Sequence, residues 1–423
     1  MTSTASPGAQ IEDTGAPAGP ERTSGLSGSV QSYVERLRGG DVGSLPAVLG
    51  LVVLLAVFSA LRPERFTNAF NLANLINQSA AVIVIAMGLV FVLLLGEIDL
   101  SAGFTAGTAG AVMAIVLTRQ EQPWYLAVLA GLATGAVIGA CIGLLVARLG
   151  IPSFVVTLAA FLGLQGVLLQ LIGEGGSIAV RDDVLVALNN GTLPVWLGWV
   201  LVAVLVGGYA VTAIRQEGAR ARSGLKTSGM QVVIGKVVVL GLLLLLATAY
   251  LSGERSLKPE LTSIKGVPIV VVLLVVLLVG LTFLLQRTAF GRHVYAVGGN
   301  SEAARRSGID VQRVKLVCFV IASTLAAIAG LLLASRNNGI TPSTGGAETL
   351  LYAVGAAVIG GTSLFGGKGK VVDAILGGLV IGVIINGMGL LNQPAAVVYM
   401  VTGGVLLIAA SVDALSRKRA TSG

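Results

Sequence analysis

Two carboxylates interrupt an otherwise apolar region, where Gly96-Glu97-Ile98-Asp99-Leu100-Ser101 separates two hydrophobic runs with almost no loop. An ionisable side chain within a membrane is costly and usually marks a functional site. Glu97 and Asp99 therefore indicate a polar pathway at a break between two helices, where transporters often bind their substrates. Asp99 also suits a second role as a cap of the following helix, accepting backbone N–H groups at the positive end of the helix dipole. We favour the cap for Asp99, whereas capping is less natural for Glu97.

Three uncharged polar side chains, Asn77, Gln165 and Asn386, lie in other apolar runs and are further candidates for a translocation path. A side-chain amide of this kind hydrogen-bonds either a hydroxyl-rich solute or a neighbouring helix, and for a single residue the helix contact is the commoner case. Both interpretations stay open for each of the three residues.

The sequence contains neither a phosphate-binding loop nor a group of His and Cys residues that would indicate catalysis. The segment 361–370 looks like a phosphate-binding loop, but such a loop needs Gly where Thr362 stands and Ser or Thr where Gly369 stands. The single histidine, His293, is far from both cysteines, which lie in apolar runs as small packing residues. We therefore predict no catalytic residue, no metal site and no cofactor in this chain, and any nucleotide that drives it must bind to another chain.

A basic segment, 286–315, contains a candidate contact for a partner protein. Asn300 or Ser301 is a suitable N-cap, Glu302 suits the first turn of a helix, and Gly308 suits its end. A short helix on the cytoplasmic face can dock in a groove of a partner protein. A loop that only sets membrane topology would explain the arginines but not a capped helix with an alanine face, so we favour docking. The predicted contact residues are Asn300, Glu302, Ala303, Ala304, Arg305, Gly308 and Ile309.

The composition of the whole chain predicts an integral membrane protein. Of its 423 residues, 55% are hydrophobic and only 11% are charged, and the mean hydropathy is +0.90. A soluble domain carries about a quarter charged residues, so soluble enzymes and nucleic-acid-binding modules are excluded. The net charge of +8 needs no polyanionic partner, because cytoplasmic loops of membrane proteins collect Lys and Arg.

Apolar runs of about twenty residues predict up to twelve transmembrane helices. Helices are favoured over barrel strands because the runs are continuous and do not alternate at every second residue. We expect an all-α polytopic bundle of 10–12 transmembrane helices at 43–415, between a disordered cytoplasmic tail at 1–42 and a short cytoplasmic tail at 416–423. The candidate helices are 45–61, 79–96, 101–118, 124–147, 153–173, 194–214, 231–251, 267–285, 316–335, 347–361, 371–391 and 395–411.

Positive charges orient these spans. With the N-terminus in the cytoplasm and twelve alternating spans, the inside segments from residue 36 onward hold 18 Lys and Arg residues and the outside segments hold 8. This bias has the sign expected if both termini are cytoplasmic. Removing a single span would place the most basic loop, 286–315, outside, so we predict an even number of spans.

Glycines predict close helix contacts. Gly131, Gly135, Gly139 and Gly143 recur every four residues, which leaves one helix face bare and lets a neighbouring helix approach. We favour static packing over a moving interface for this stripe. The run at 347–361 is short and ends in glycines, as in discontinuous helices near a transport path, although a tight turn explains those glycines almost as well.

Five motifs, taken together and in this order, resemble one family. They are Glu97-Ile-Asp-Leu-Ser101, Gly150-Ile-Pro-Ser-Phe-Val-Val-Thr-Leu158, Thr288-Ala-Phe-Gly-Arg-His-Val-Tyr-Ala-Val-Gly-Gly-Asn300, Glu302-Ala-Ala-Arg-Arg-Ser-Gly-Ile309 and Gly360-Gly-Thr-Ser-Leu-Phe-Gly-Gly367. The family is the branched-chain-amino-acid/ribose-type permease family of ABC importers, and within it the monosaccharide branch. The length and the extra basic loop with its following spans, about 215–266, are most similar to the xylose-type members.

The resemblance implies the permease subunit of an ATP-driven importer of a monosaccharide, xylose or a related pentose, in the cytoplasmic (inner) membrane of a bacterium. It implies a homodimer in contact with lipid, a separate ATPase chain that binds ATP and Mg inside, and an extracytoplasmic sugar-binding protein. Asn300–Ile309 matches the coupling helix of the family, which contacts the ATPase. The competing interpretation is a proton-coupled secondary sugar transporter in which Glu97 or Asp99 carries the proton.

Overall fold

Sixteen α-helices and two short strands make up the described part of the chain. The computed structural model describes residues 43–224, 227, 229–256, 259–260 and 263–421, so the tail predicted to be disordered, 1–42, lies outside it. The strands β1 (Ile178–Ala179) and β2 (Gly339–Ile340) pair antiparallel. The helices are α1 (Leu45–Leu61), α2 (Pro63–Phe66), α3 (Ala69–Leu94), α4 (Ala102–Ala114, continued as a π-helix over Ile115–Arg119), α5 (Trp124–Ala147), α6 (Ser153–Ile172), α7 (Asp183–Asn190), α8 (Val195–Arg222), α9 (Met230–Leu251), α10 (Val270–Arg287), α11 (Ala289–Gly299), α12 (Ser301–Arg306), α13 (Val311–Asn337), α14 (Ala347–Gly360), α15 (Val371–Leu390) and α16 (Ala395–Thr421).

Each of the twelve predicted spans corresponds to one of these helices. Nine helices of the described residues are long and apolar enough to cross a membrane. The remaining three predicted spans match shorter apolar helices, Leu45–Leu61, Ala347–Gly360 and Ala395–Ser411. The polytopic helical fold predicted from the sequence is therefore confirmed, and the chain is a multi-pass membrane protein.

The largest difference from the sequence-based prediction lies at the start of α3, which begins at Ala69 and not at residue 79. Asn68 caps the helix, because its Oδ1 accepts the N–H of Phe70 at 2.9 Å. The amide of Asn71 is satisfied by hydrogen bonds to Phe66 and to a distant helix. Polar residues lowered the apolar character of this segment, but their hydrogen bonds allow the helix to form.

The centre of the bundle is α3. Its most apolar stretch is 83% buried, as expected for a helix that is apolar on every side. α13 packs along α3 and also against α4 and α5, while α14 and α15 cover another side of α3. By contrast, α8 and α9 pack mainly on each other. Only 11% and 17% of the residues in their most apolar stretches are buried, so this pair lies at the periphery.

The predicted glycine stripe of α5 lies against α13. A Cβ atom at Gly139 would lie 2.6 Å from the carbonyl oxygen of Phe319 and 2.8 Å from Cα of Val320, distances that real Cβ atoms do not adopt. The bare face therefore allows the two backbones to approach closely, as small residues do in membrane helix pairs. The other contacts of the stripe with α13 are those of Gly131 with Leu331, Gly135 with Ala327 and Gly143 with Leu316.

The segments between helices collect at two ends of the bundle. The end that carries α12 also carries the break between α3 and α4, because the N–H of Ile98 donates to Ser153 Oγ at 3.2 Å and Lys315 pairs with Glu97. We call it the α12 end. The opposite end carries the β1–β2 pair and α7, whose Asn190 donates to the carbonyl of Ser335 at 2.7 Å. This grouping agrees with the alternation of spans that the charge pattern predicts.

Candidate functional site

The short helix predicted within the basic segment is present as α12. The side chain of Asn300 accepts the N–H of Ala303 at 2.9 Å, which is the N-cap contact. Gly308 has φ +85°, a left-handed conformation that glycine adopts at low cost at the end of a helix. The N–H of Ile309 then returns to the carbonyl of Ala304 at 3.1 Å. These local hydrogen bonds define where α12 begins and ends.

The outer surface of α12 carries charges of both signs. Glu302 pairs with Arg305 at 2.7 Å and with Arg306 at 3.1 Å. Hydrogen bonds from these two guanidinium groups lower the pKa of the Glu302 carboxyl. The three side chains are at least half exposed, so their ion pairs add little stability and the charged groups are accessible to a partner.

One predicted contact residue does not belong to this surface. Ala304 is only 5% exposed and packs into the main core, because α12 lies with that side against the bundle. Ile309 is half-buried and packs against the same core. Ala303, next to Ala304, is exposed. The face of α12 that a partner can reach is therefore formed by Ser301, Glu302, Ala303, Arg305 and Arg306.

α11 joins α12 to the bundle. Gly298 lies so close to the carbonyl of Leu94 and the N–H of Gly367 that a Cβ would overlap both. The same N–H of Gly367 donates to the carbonyl of Leu94 at 2.9 Å, and the hydroxyl of Tyr295 donates to the carbonyl of Gly369 at 2.8 Å. The end of α3, the end of α11 and the 361–370 loop thus pack as one unit beneath α12.

The two carboxylates of the break between α3 and α4 have different environments. Glu97 forms an ion pair with Lys315 of α13. Asp99 is 1% exposed, and its Oδ1 accepts the N–H of Ser101 at 2.8 Å and the hydroxyl of Ser101 at 2.6 Å. Burial raises the pKa of Asp99. Asp99 thus bonds Ser101, the N-cap residue of α4, and not an N–H group of the helix itself, so its role differs from the helix cap favoured from the sequence.

The three amide candidates for a translocation path are not brought together with the carboxylates. Asn386 exchanges hydrogen bonds with Asn71, and Asn77 is half-buried on the first half of α3. Seventeen residues of helix, about 26 Å, separate Asn77 from the end of α3 at Leu94, beyond which Glu97 lies. Gln165 is exposed on the outer surface of α6. Within one copy, these residues do not form a single polar site.

Comparison with known proteins decides the family. The family described as branched-chain amino acid transport system / permease component matches residues 71–410. The chain belongs to this permease family. The resemblance inferred from the five motifs is thereby confirmed.

Relatives of the permease carry the names of sugar transport proteins. The xylose transport system permease protein of Escherichia coli (strain K12) is 35% identical over 372 residues, which cover 88% of this chain and 92% of the relative. The ribose import permease protein of that strain is 30% identical over 87% of this chain and 92% of the relative. The D-allose transport system permease protein is 29% identical over 87% and 90%. No solved structure matches the chain.

Grouped ligands for a metal ion do not occur in the described part of the permease. Among those residues, no set of three His, Cys, Asp or Glu side chains is placed to hold a metal ion. In the 361–370 loop, the N–H of Ser363 donates to the carbonyl of Lys368 at 2.8 Å, and the N–H of Gly367 bonds to Leu94. The first bond closes the loop on itself and the second attaches it to α3.

Sequence reasoning missed four residues that the permease uses in these contacts: Asn71, Ser153, Thr157 and Lys315. Ser153 and Thr157, which both bond Ile98, look like ordinary polar residues in the first two turns of an apolar helix, and Lys315 looks like one more charge of a basic loop. No local pattern marks them, because each acts on a residue far away in the sequence. Only the lack of a capping role for Glu97 hinted that this carboxylate needed another partner.

Proposed function

We propose that this permease is the transmembrane subunit of an ATP-driven importer of a monosaccharide, xylose or a related pentose. The observation that carries the proposal is α12, a capped and exposed helix that projects from a chain without a nucleotide-binding loop. Its relatives, named for xylose, ribose and D-allose transport, support the sugar as cargo. The highest of these identities, 35%, favours xylose.

A separate ATPase chain supplies the energy in this proposal. ATP and Mg bind to that chain, which docks on the exposed face of α12 through Glu302, Ala303 and Arg305. The basic character of 286–315 supports a cytosolic α12 end, with both termini on the same side. On the outer side of a bacterial cytoplasmic membrane, a sugar-binding protein delivers the cargo to the opposite end.

A second copy of the permease completes the path. The outer face of α6 is exposed over Phe154, Val155, Leu158 and Leu162, and an apolar groove runs between α5 and α6. Gln165 lies exposed on α6, and its amide needs a hydrogen-bonding partner at membrane depth. Two α6 faces that meet around a two-fold axis would give each Gln165 such a partner or direct both towards the cargo. The exposed faces of α8 and α9 contact lipid.

The transport cycle follows from this arrangement. The ATPase must hold α12 differently in its ATP-bound and nucleotide-free states, because a ligand shifts an equilibrium only by its differential affinity for the two states. Movement of α12 then favours either the inward-open or the outward-open arrangement of the helices. The permease itself makes or breaks no covalent bond, so it is a gate and not an enzyme.

A single charge on α12 tests the docking role. Ala303→Glu places a carboxylate in the centre of the exposed face, and Gln216→Glu places the same charge at the exposed end of α8 as a control. In membranes that contain the partner ATPase chain, we expect Ala303→Glu to lower ATPase recovery and sugar uptake by about tenfold or more. Gln216→Glu should leave both unchanged. Normal ATPase binding and uptake by a well-expressed Ala303→Glu protein would overturn the docking role.

A further inference from the structure

The break between α3 and α4 is held on its two sides by different elements. Gly96 has φ +75°, and a Cβ on it would lie 3.5 Å from the carbonyl oxygen of Phe365. Residues 97–101 are non-helical, so the chain crosses from one long helix to the next through a short extended segment. Hinges in proteins are commonly a few such residues at the ends of rigid elements.

On one side, the break is joined to the helix that follows α12. Lys315 lies in the second turn of α13, only a few residues after Gly308, and its ammonium pairs with the Glu97 carboxylate. The side chains of this pair are 24% and 16% exposed, whereas those of the pairs on α12 are 50–79% exposed. Reduced solvent screening makes the Lys315–Glu97 attraction the stronger one.

On the other side, the next residue of the break is joined to α6. The N–H of Ile98 donates to Ser153 Oγ at 3.2 Å. The hydroxyl of Thr157 is shared between the carbonyl of Ser153 at 2.9 Å and the carbonyl of Ile98 at 3.2 Å. Ser153 and Thr157 are buried and lie one turn apart at the start of α6. Both hydrogen-bonding groups of the Ile98 backbone are therefore committed to α6, the helix whose outer face is exposed.

We propose that Glu97 is a positioning residue that carries movement of α12 to α6. A displacement of α12 moves the start of α13, Lys315 draws the Glu97 carboxylate with it, and the adjoining peptide groups of Ile98 shift Ser153 and Thr157. Coupling between sites is carried by contiguous contacts of this kind between rigid elements. The proposal rests on the proposed function, because it needs an ATPase that moves α12.

The decisive variants remove and then exchange the two charges. Glu97→Gln and Lys315→Met each abolish the ion pair, and the exchange Glu97→Lys with Lys315→Glu restores it in reverse. Arg148→Met removes an exposed cation that forms no ion pair within the described residues, and is the matched control. The permease is assembled in proteoliposomes with its ATPase and sugar-binding protein, and both ATP hydrolysis and sugar uptake are measured.

We expect both single variants to retain the ATPase and to hydrolyse ATP, while the sugar moved per ATP falls by about tenfold. The charge exchange should recover most of that ratio, and Arg148→Met should keep it unchanged. A purely structural pair would lower assembly and hydrolysis together and leave the ratio intact, which would overturn the proposal. Failure of the exchange to restore the ratio in an assembled complex would also overturn it. Failure of the wild-type permease to bind the ATPase would instead contradict the proposed function.

Lys315→Arg provides a second variant in case a neutral substitution prevents folding. This change keeps the positive charge, so we expect near wild-type sugar transport per ATP from an assembled complex. A loss as large as that of Lys315→Met would show that the charge is not what couples α13 to the break.

Discussion

Asn71 of α3 and Asn386 of α15 exchange their side-chain amides, with N-to-O distances of 2.9 Å and 3.0 Å. Both side chains are buried, and the amide nitrogen of Asn71 also donates to the carbonyl of Phe66 at 3.0 Å. Because lipid offers no hydrogen bonds, both amides are satisfied only within the protein, and each is the side-chain partner of the other. Asn386 therefore fastens two helices together and does not face the cargo in this state.

Removal of either amide should destabilise the bundle without changing the affinity for sugar. Asn71→Leu and Asn386→Leu each leave one buried amide unpaired, whereas the double variant removes both. We expect a coupling energy of about 0.6–1.7 kcal/mol between the two positions, the range seen for hydrogen bonds between membrane helices. Unfolding of the purified permease in mixed detergent micelles measures it. Strictly additive effects would contradict the pairing.

A bulky residue in the glycine stripe should prevent assembly of the bundle. At Gly139 a Cβ would already meet Phe319 and Val320, so Gly139→Leu must force α5 away from α13. Gly207→Leu is the control, because no atom lies within 4 Å of a Cβ built there. Gel filtration of detergent extracts should show little folded Gly139→Leu protein and a normal amount of Gly207→Leu. Equal yields would show that α5 does not pack as described.

Asparagine, a neutral residue of the same shape, should replace Asp99 with little loss of sugar uptake. Asp99→Asn keeps the Oδ1 acceptor for Ser101 and removes a buried charge, so we expect sugar uptake within about threefold of wild type. A proton-carrying Asp99, as a secondary transporter would need, predicts complete loss of uptake in this variant.

The stability of Asp99→Asn should also depend differently on pH. Burial raises the pKa of Asp99, so the unfolded chain ionises at a lower pH than the native protein does. Wild-type stability is then lost as pH rises through the raised pKa, whereas Asn does not titrate. The apparent melting temperature of Asp99→Asn minus that of wild type should increase as pH rises from about 4 to about 8. A gap that shrinks with rising pH would contradict this environment for Asp99.

Cysteine labelling should place the α12 end in the cytosol. Ser307→Cys and Asn337→Cys introduce exposed thiols at the α12 end and at the opposite end, respectively. Cys318 is buried and Cys141 faces the apolar groove beside α6, so a membrane-impermeant maleimide should not react with either. We expect Ser307→Cys to be labelled only in inside-out vesicles and Asn337→Cys only in right-side-out vesicles. The reverse pattern would invert the proposed orientation.

Features that depend on local physics could be predicted from the sequence. Long apolar runs form helices in lipid, so the twelve apolar helices among the sixteen were all predicted as spans. The Asn300 cap of α12 was predicted because its partner lies three residues away. The predicted start of α3 was wrong because its polar residues lower the apolar character of the segment, and one of their partners, Asn386, is distant in the sequence. The burial of Ala304 and the Lys315–Glu97 pair, which joins residues 218 apart, follow from tertiary packing and could not be predicted from a local pattern.

The most direct test of the account is accumulation of radiolabelled xylose in proteoliposomes at a collapsed proton gradient. The purified permease is reconstituted alone, or with its ATPase chain inside and its sugar-binding protein outside, with an uncoupler present in both cases. We predict uphill accumulation only when both partners and internal ATP are present. Uphill transport by the permease alone would contradict the claim that this chain is a gate driven by a separate ATPase. Absence of uphill transport from the complete, ATP-supplied system in the presence of the uncoupler would contradict it as well.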